Sequence, residues 1–202
     1  MSRKGQVSLE FLFVFTIMIV LLAYSINNVT FREGSASVEN LKIQVALEEK
    51  NLANAISNTI SQVYAQGPGS KATSYIHVNY LKDPQMLEKA TGVKSPRVFI
   101  TYRNGTFITI TGTGSAVVLA GPNKNTFWSE SMYRKILSSN SSIWSPSGSV
   151  NMDSTTAYGL EINPNDLPPT LRIVVEWNPD VPDSWEFNST AGEIRININP
   201  GG

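Results

Sequence analysis

Few side chains in this 202-residue chain are equipped for chemistry. It has one histidine, His77, and no cysteine. That excludes a disulfide framework, a zinc-thiolate centre, a cysteine nucleophile and a multi-histidine metal site. His77 stands between Ile76 and Val78 with no Ser or Asp placed for a proton relay, so it fits a structural or exposed role. Thr111-Gly-Thr-Gly-Ser115 resembles half of a dinucleotide loop, but it lacks a third glycine and Pro122 interrupts any following helix. Asp180, Asp183 and Glu186 offer hard oxygen atoms that suit calcium. Their spacing matches no EF-hand, and Asp and Pro in Asn178–Glu186 also suit simple turns. Trp128, Trp144, Trp177 and Trp185 are either a sugar-binding face or core and interface residues. No nucleophile–base pattern emerges, so the expectation is a non-enzymatic protein without cofactor or metal. The odd group left over is Glu10, a carboxylate inside an apolar run.

That run extends from Gln6 to Tyr24, after a basic start at Arg3 and Lys4. As a helix rising ~1.5 Å per residue it covers most of a bilayer core about 30 Å thick. Arg3 and Lys4 would stay on the cytoplasmic side. Three readings follow. In a cleaved secretory signal, Phe11 to Leu22 is the apolar region and Ala23-Tyr-Ser25 the small-x-small cleavage site, although a carboxylate at Glu10 is unusual there. In a plain signal anchor, Gly5, Gln6, Ser8 and Glu10 need no special role.

The third reading rests on a resemblance. Lys4-Gly-Gln-Val-Ser-Leu-Glu-Phe11 resembles the class III signal of archaeal type IV pilin-like proteins, over about residues 3 to 24. The resemblance implies cleavage by a prepilin peptidase between Gly5 and Gln6, leaving a mature chain that begins Gln-x-Ser-x-Glu. Ser8 and Glu10 become the third and fifth mature residues. It further implies that Glu10 pairs with the Gln6 amine of a neighbouring subunit during assembly. An in-chain contact is also open, since the two lie one helical turn apart. Partners would be identical or homologous pilin subunits, the prepilin peptidase, and the cytoplasmic membrane before assembly. Archaellins have a related signal, but their Gly-rich mature start is not matched by Gln6–Glu10.

The physics of such a cut differs from that of an ordinary signal. The apolar run stays on the mature chain, and each large apolar side chain kept from water is worth roughly 1.5–3 kcal/mol. Membrane and filament core are both apolar, so that term nearly cancels on assembly and polar contacts decide the transfer. An ionised Glu10 in hydrocarbon must find a partner or take a proton.

Further elements must position the rest. Residues 25–37 are weak helix formers. Thr30-Phe-Arg-Glu33 matches a capping box, so a kink or melted turn near Asn27–Gly34 competes with one continuous helix. Val38, Leu41, Val45, Leu52, Ile56, Ile60 and Val63 form one helical stripe, with Lys42, Glu48, Glu49 and Lys50 mostly off it. Gly67-Pro-Gly69 ends the helix. A helix over about 7 to 66 would be ~90 Å long, too long for one globular core.

Beyond it, strands are expected at Tyr75–Tyr80, Arg97–Tyr102, Thr106–Thr111, Ser115–Ala120, Ala157–Ile162, Leu171–Trp177 and Glu193–Ile198, with Pro/Asp turns between the later ones. Asn104-Gly105 marks a hairpin. Asp83–Gly92 reads as a short helix or ordered loop, Phe127–Leu137 as helix or strand, and residues 138–154 as a loop. The fold class is α+β: a long N-terminal helix packed in its C-terminal half against a mostly antiparallel β domain of six to eight strands. The expected division is a leader at 1–5, a helix at 6–66 with its apolar half at 6–25, and a β-rich head at 67–202.

Sixteen basic residues balance sixteen acidic ones, which argues for no nucleic-acid partner. Loss of Arg3 and Lys4 would leave fourteen against sixteen, net −2. Sequons at Asn28, Asn104, Asn140 and Asn188 fit an extracellular surface, and the last three are candidate glycosylation sites. Asn28 would go unused within a packed filament core. The expected function is that of a filament subunit on the cell surface, with adhesion or a related role. The alternative is a membrane-anchored or secreted β-domain that binds carbohydrate or protein.

Overall fold

The computed structural model describes residues 3–30, 36–112, 117–119, 121 and 124–201, with side chains from residue 9 to 26 and from 37 onward within those ranges. Helix α1 spans Arg3–Thr30 and helix α2 Ala36–Gln66. Residues 31–35 lie outside the described part, so the expected capping box and the continuity of the two helices lie there too. The chain divides into two compact units, Met1–Lys42 and Ile43–Gly202.

The first unit is dominated by α1. Its apolar run has no proline or glycine, and since Phe, Ile, Val and Thr outnumber Leu and Met, the helix owes more to satisfying its backbone hydrogen bonds in an apolar surround than to intrinsic propensity. Thr16 returns its hydroxyl to the Leu12 carbonyl at 2.7 Å, and Phe11 stacks on Phe15 one turn on. Both contacts follow from the i, i+4 geometry of a helix.

The second unit is built on α2 and, among the described residues, ten short strands. These are β1 (Lys71–His77), β2 (Arg97–Tyr102), β3 (Gly105–Thr111), β4 (Thr126–Glu130), β5 (Trp144–Ser145), β6 (Ser147–Met152), β7 (Thr155–Ile162), β8 (Thr170–Glu176), β9 (Ser184–Asn188) and β10 (Glu193–Asn197). A short helix α3, Pro84–Thr91, follows β1. One sheet runs β1-β8-β10-β9-β5 and the other β4-β3-β2-β7-β6. Pairing is antiparallel except for β8 with β10 and β5 with β9.

Helix α2 lies against both sheets. Val45, Leu52, Ala53, Ile56, Ile60 and Val63 are buried, so the stripe read from the sequence is the packed face. Polar residues of the same helix stitch the seams. Ser57 donates to the Ser129 carbonyl at 2.8 Å and its Oγ lies 2.9 Å from the Thr106 hydroxyl, while the hydroxyls of Thr59 and Ser74 share a hydrogen bond at 2.8 Å. The Glu48 carboxylate accepts from the backbone N–H groups of Asn79, Tyr80 and Leu81 at 2.8–2.9 Å, pinning the connection between β1 and α3. Three successive amides aimed at one carboxylate form an anion nest. The charged residues set off the stripe are thus recruited as well, because two sheets wrap the helix more widely than one would.

Several local expectations hold. Asp83 caps α3 through the Gln85 and Met86 N–H groups, and Gly92 closes it in the left-handed region. The β2–β3 hairpin turns at Asn104, φ 56°. A Cβ at Gly105 would come 2.3 Å from the Ser129 carbonyl, so only glycine fits beside β4.

Others need correction. β1 starts at Lys71 and stops at His77, and 78–80 form a bend held by Glu48. Residues 138–154 are not merely a loop, because β5 and β6 lie there. β6 is an edge strand in which only Val150 and Met152 are buried, so its composition is polar. β9 occupies a stretch read as turns, and ten strands lie among the described residues. Of the strand expected at 115–120, residues 115, 116 and 120 lie outside the described part, and Val117–Leu119 is not a strand.

Candidate functional site: the N-terminal helix and the surface of the second unit

Gly5, Gln6, Ser8 and Glu10 all lie in the first turns of α1. Glu10 is exposed, as are its apolar neighbours from Leu9 through Ile26. That stretch of 18 residues has a mean hydropathy of 2.4 and none of it is buried within the chain. A helix of this length and composition meets the requirement for crossing a bilayer. Apolar surface left uncovered on this scale requires an apolar surrounding, whether lipid or protein.

The other sequence candidates are dispersed over the second unit. His77 is exposed at the end of β1, with Nδ1 3.0 Å from the Thr170 hydroxyl. Trp144 and Trp185 are buried together, ring centroids 5.0 Å apart, and Tyr102 lies 5.6 Å from Trp185. Trp177 stacks on Tyr64 of α2, and Trp128 stacks on Phe107 on the far side of the β2–β3 sheet from α2. Four tryptophans in three places make no common sugar platform. The loop Thr111–Ser115 lies mostly outside the described residues.

Of the three acidic candidates Asp180 and Glu186 are exposed, and Asp183 is an internal brace. Asp183 is buried and accepts from the Tyr133 hydroxyl at 2.6 Å, the Lys135 ammonium at 2.7 Å and the Asn199 N–H at 3.0 Å. Burial, and then this bond to Asp183, hold the Tyr133 hydroxyl well above the usual phenol range. The carbonyls of the preceding loop are taken by amides: Asn197 donates to Asn178, Val181 and Pro182, and Asn199 to Pro179 and Val181. Carbonyls that a calcium ion would need are thereby engaged by side chains. Among the described residues no group of three or more His, Asp or Glu side chains is placed to hold a metal.

The sequons differ in presentation. Asn140 caps a 3-10 turn, its Oδ1 accepting from the Ser142 N–H and hydroxyl, and both residues are exposed. Asn188 ends β9 in an exposed turn, its Oδ1 accepting from the Ala191 N–H at 3.0 Å. Asn104 is exposed, but Thr106 of its sequon is fully buried against Ser57. Asn28 lies in the last turn of α1.

Sequence reasoning missed Glu49. It is 3 % exposed, and its Oε1 has no hydrogen-bond partner. Burial raises its carboxyl well above the usual range, opposed by the Lys124 ammonium and a hydrogen bond from the Ile110 backbone. A carboxylate next to another in Glu48-Glu49 gave no signal that the two would face different surroundings.

No curated protein and no solved structure matches the chain. Residues 3–29 match the family model of the Class III signal peptide. That segment coincides with the unburied apolar helix, and together they support a type IV pilin-like precursor that inserts in the membrane and is processed by a prepilin peptidase.

Proposed function

We infer that this chain is a structural subunit of an archaeal type IV pilus-like filament on the cell surface, with a surface or adhesion role. The observation that carries the reading is the coincidence of the Class III signal match at 3–29 with an 18-residue apolar helix left bare by the rest of the chain. In this reading residues 1–5 are the leader, and the peptidase cuts between Gly5 and Gln6. The mature chain starts Gln-x-Ser-x-Glu, and Gln6, Ser8 and Glu10 act in assembly. The apolar half of the helical region, residues 6–25, is the part that enters the filament; the region continues to 66 with its C-terminal half packed against the β-rich head of 67–202. The α-amino group freed at Gln6 is the cation that Glu10 needs when both leave the headgroup region. Identical or homologous subunits supply the apolar surround that replaces lipid. The protein's activity is assembly, not catalysis. Asn140 and Asn188 are the better-presented glycan acceptors, because both residues that define each sequon are at the surface.

Mass spectrometry of the mature N-terminus tests the reading. A start at Gln6 is the expected outcome. A start at Ile26 would replace it with secretion after an ordinary signal. An intact Met1 would favour a plain anchor carrying a binding module.

A further inference from the structure

Six aromatic rings of the second unit form one unbroken chain, and its two arms meet at Tyr133. The first arm starts at Trp177, directly after β8. Trp177 stacks on Tyr64 of α2 at 5.7 Å with the planes 7° apart, and Tyr64 lies 5.7 Å from Tyr133. The second arm runs from Trp144 to Trp185 at 5.0 Å, from Trp185 to Tyr102 at 5.6 Å and from Tyr102 to Tyr133 at 5.9 Å. Every step lies within the contact range of aromatic pairs. Trp177 and Tyr64 are half-buried, whereas Trp144, Trp185, Tyr102 and Tyr133 are buried, so the chain leads from the surface into the core.

The hydroxyls along this chain meet different partners. Tyr102 donates to the Tyr133 carbonyl at 2.6 Å, and an amide carbonyl is too weak a base to keep a proton. Tyr133 donates to Asp183 at 2.6 Å, a buried carboxylate that the Lys135 ammonium and the Asn199 N–H hold in place. That separation is within reach of direct proton transfer. Burial keeps the Tyr133 hydroxyl protonated at rest. A phenol that keeps its proton holds its electrons tightly. Once a base takes the proton, tyrosine gives up an electron more readily than tryptophan does. Both arms therefore descend in energy toward the ring that has a carboxylate at its hydroxyl.

We propose that the aromatic chain carries one-electron oxidising equivalents from its tryptophans to Tyr133, where Asp183 takes up the phenol proton. An external one-electron oxidant, of the radical class formed from peroxides, first leaves a radical cation on a tryptophan of either arm. Tyr133 then loses one electron, which passes along the rings and restores the tryptophan. The Tyr133 O–H bond breaks and a new O–H bond forms on Asp183, so a neutral tyrosyl radical faces a neutral carboxylic acid. An oxidised phenol is a far stronger acid than any carboxylic acid, so the transfer runs downhill even with Lys135 at the other carboxylate oxygen. A one-electron reductant in solution, such as ascorbate, reverses the step as Asp183 returns the proton. The core tryptophans are thereby spared further reaction in a chain that has no thiol to serve as a sink. This role stands independently of the filament reading.

The test uses the full chain in detergent, with Trp128→Phe removing the exposed tryptophan that lies outside the aromatic chain. Azide radicals made by pulse radiolysis oxidise accessible tryptophan. The tryptophanyl absorption is expected to decay at a rate independent of protein concentration while a tyrosyl absorption rises with it, and the transfer is expected to slow in heavy water. Tyr133→Phe is expected to lose most of that coupled rise. Asp183→Asn keeps an oxygen at the Tyr133 hydroxyl but removes the base, and is expected to slow the transfer by about a hundredfold, the lower end of what a positioned proton acceptor contributes. An undiminished coupled rise in Tyr133→Phe would overturn the proposal. So would equal rates in light and heavy water, a measurement that needs no substitution within the chain and decides the matter even where a variant fails to fold.

Discussion

Glu49 shows how a single residue can set a pH dependence. Its carboxyl is buried on α2, and burial raises its proton affinity against the opposing pull of Lys124. In the unfolded chain the same group titrates near the ordinary value, about 4.3. Between that value and the raised native one the folded state holds a proton that the unfolded state has lost. Stability from this group is therefore complete below about pH 4.3 and declines as pH rises through the native pKa, by at most ~1.4 kcal/mol per pH unit. Glu49→Gln keeps the shape and removes the titration. Denaturation midpoints followed by tryptophan fluorescence from pH 4 to 8 should fall with pH in the parent relative to the variant. Parallel curves would show that Glu49 is ionised in the folded protein. The sequence did not reveal this residue, since a 3.6-residue period ranks positions by one face only. Glu48 and Glu49 are adjacent in the chain, yet one meets three backbone N–H groups and the other meets apolar walls. Only the wrapping of two sheets around α2 makes that distinction.

At the scale of elements, legibility follows how local the cause is. The apolar helix was readable because length and composition alone define it. The β2–β3 hairpin was readable because Asn104-Gly105 supplies the turn in place. α3 was readable from Asp83 and Gly92 at its ends. β6 and β9 were not, because their strand character comes from partners: β7 for the first, β10 and β5 for the second. Trp185 and Phe187 do alternate in β9, a signal hidden by the prolines before it. For α1 the central prediction concerns Glu10. The apolar term is nearly the same in lipid and in a bundle of helices, so a charge pair decides when the helix moves between them. Glu10→Ala should leave cleavage at Gly5 and membrane insertion intact while reducing filament yield at least tenfold, as read by immunoblots of membrane and sheared-filament fractions. Normal filament yield would strip Glu10 of the assembly role.

For the whole molecule, the two units make opposite demands on solvent. The apolar span of the first has no burial within the chain. The second has its own core, in which Leu52, Ile56, Ile60 and Val63 of α2 are fully buried together with strand residues such as Ile100, Ile108, Leu171, Ile173 and Ile194. At roughly 1.5–3 kcal/mol for each large apolar side chain, the contribution of these α2 residues is comparable with the net stability of a whole domain, before conformational entropy is set against it. The helix cannot be removed at the point where the β-rich region begins in sequence, because its stripe is the floor on which both sheets rest. A chain starting at Ile43 should therefore be soluble without detergent and unfold cooperatively. A chain starting at Gly67 should fail to fold, since both sheets would expose the surfaces that α2 covers. Circular dichroism melts of the two chains, with gel filtration, make the comparison. A cooperative transition in the shorter chain would show that the sheets hold one another without α2, and would move the border of the folding unit to the end of the helix.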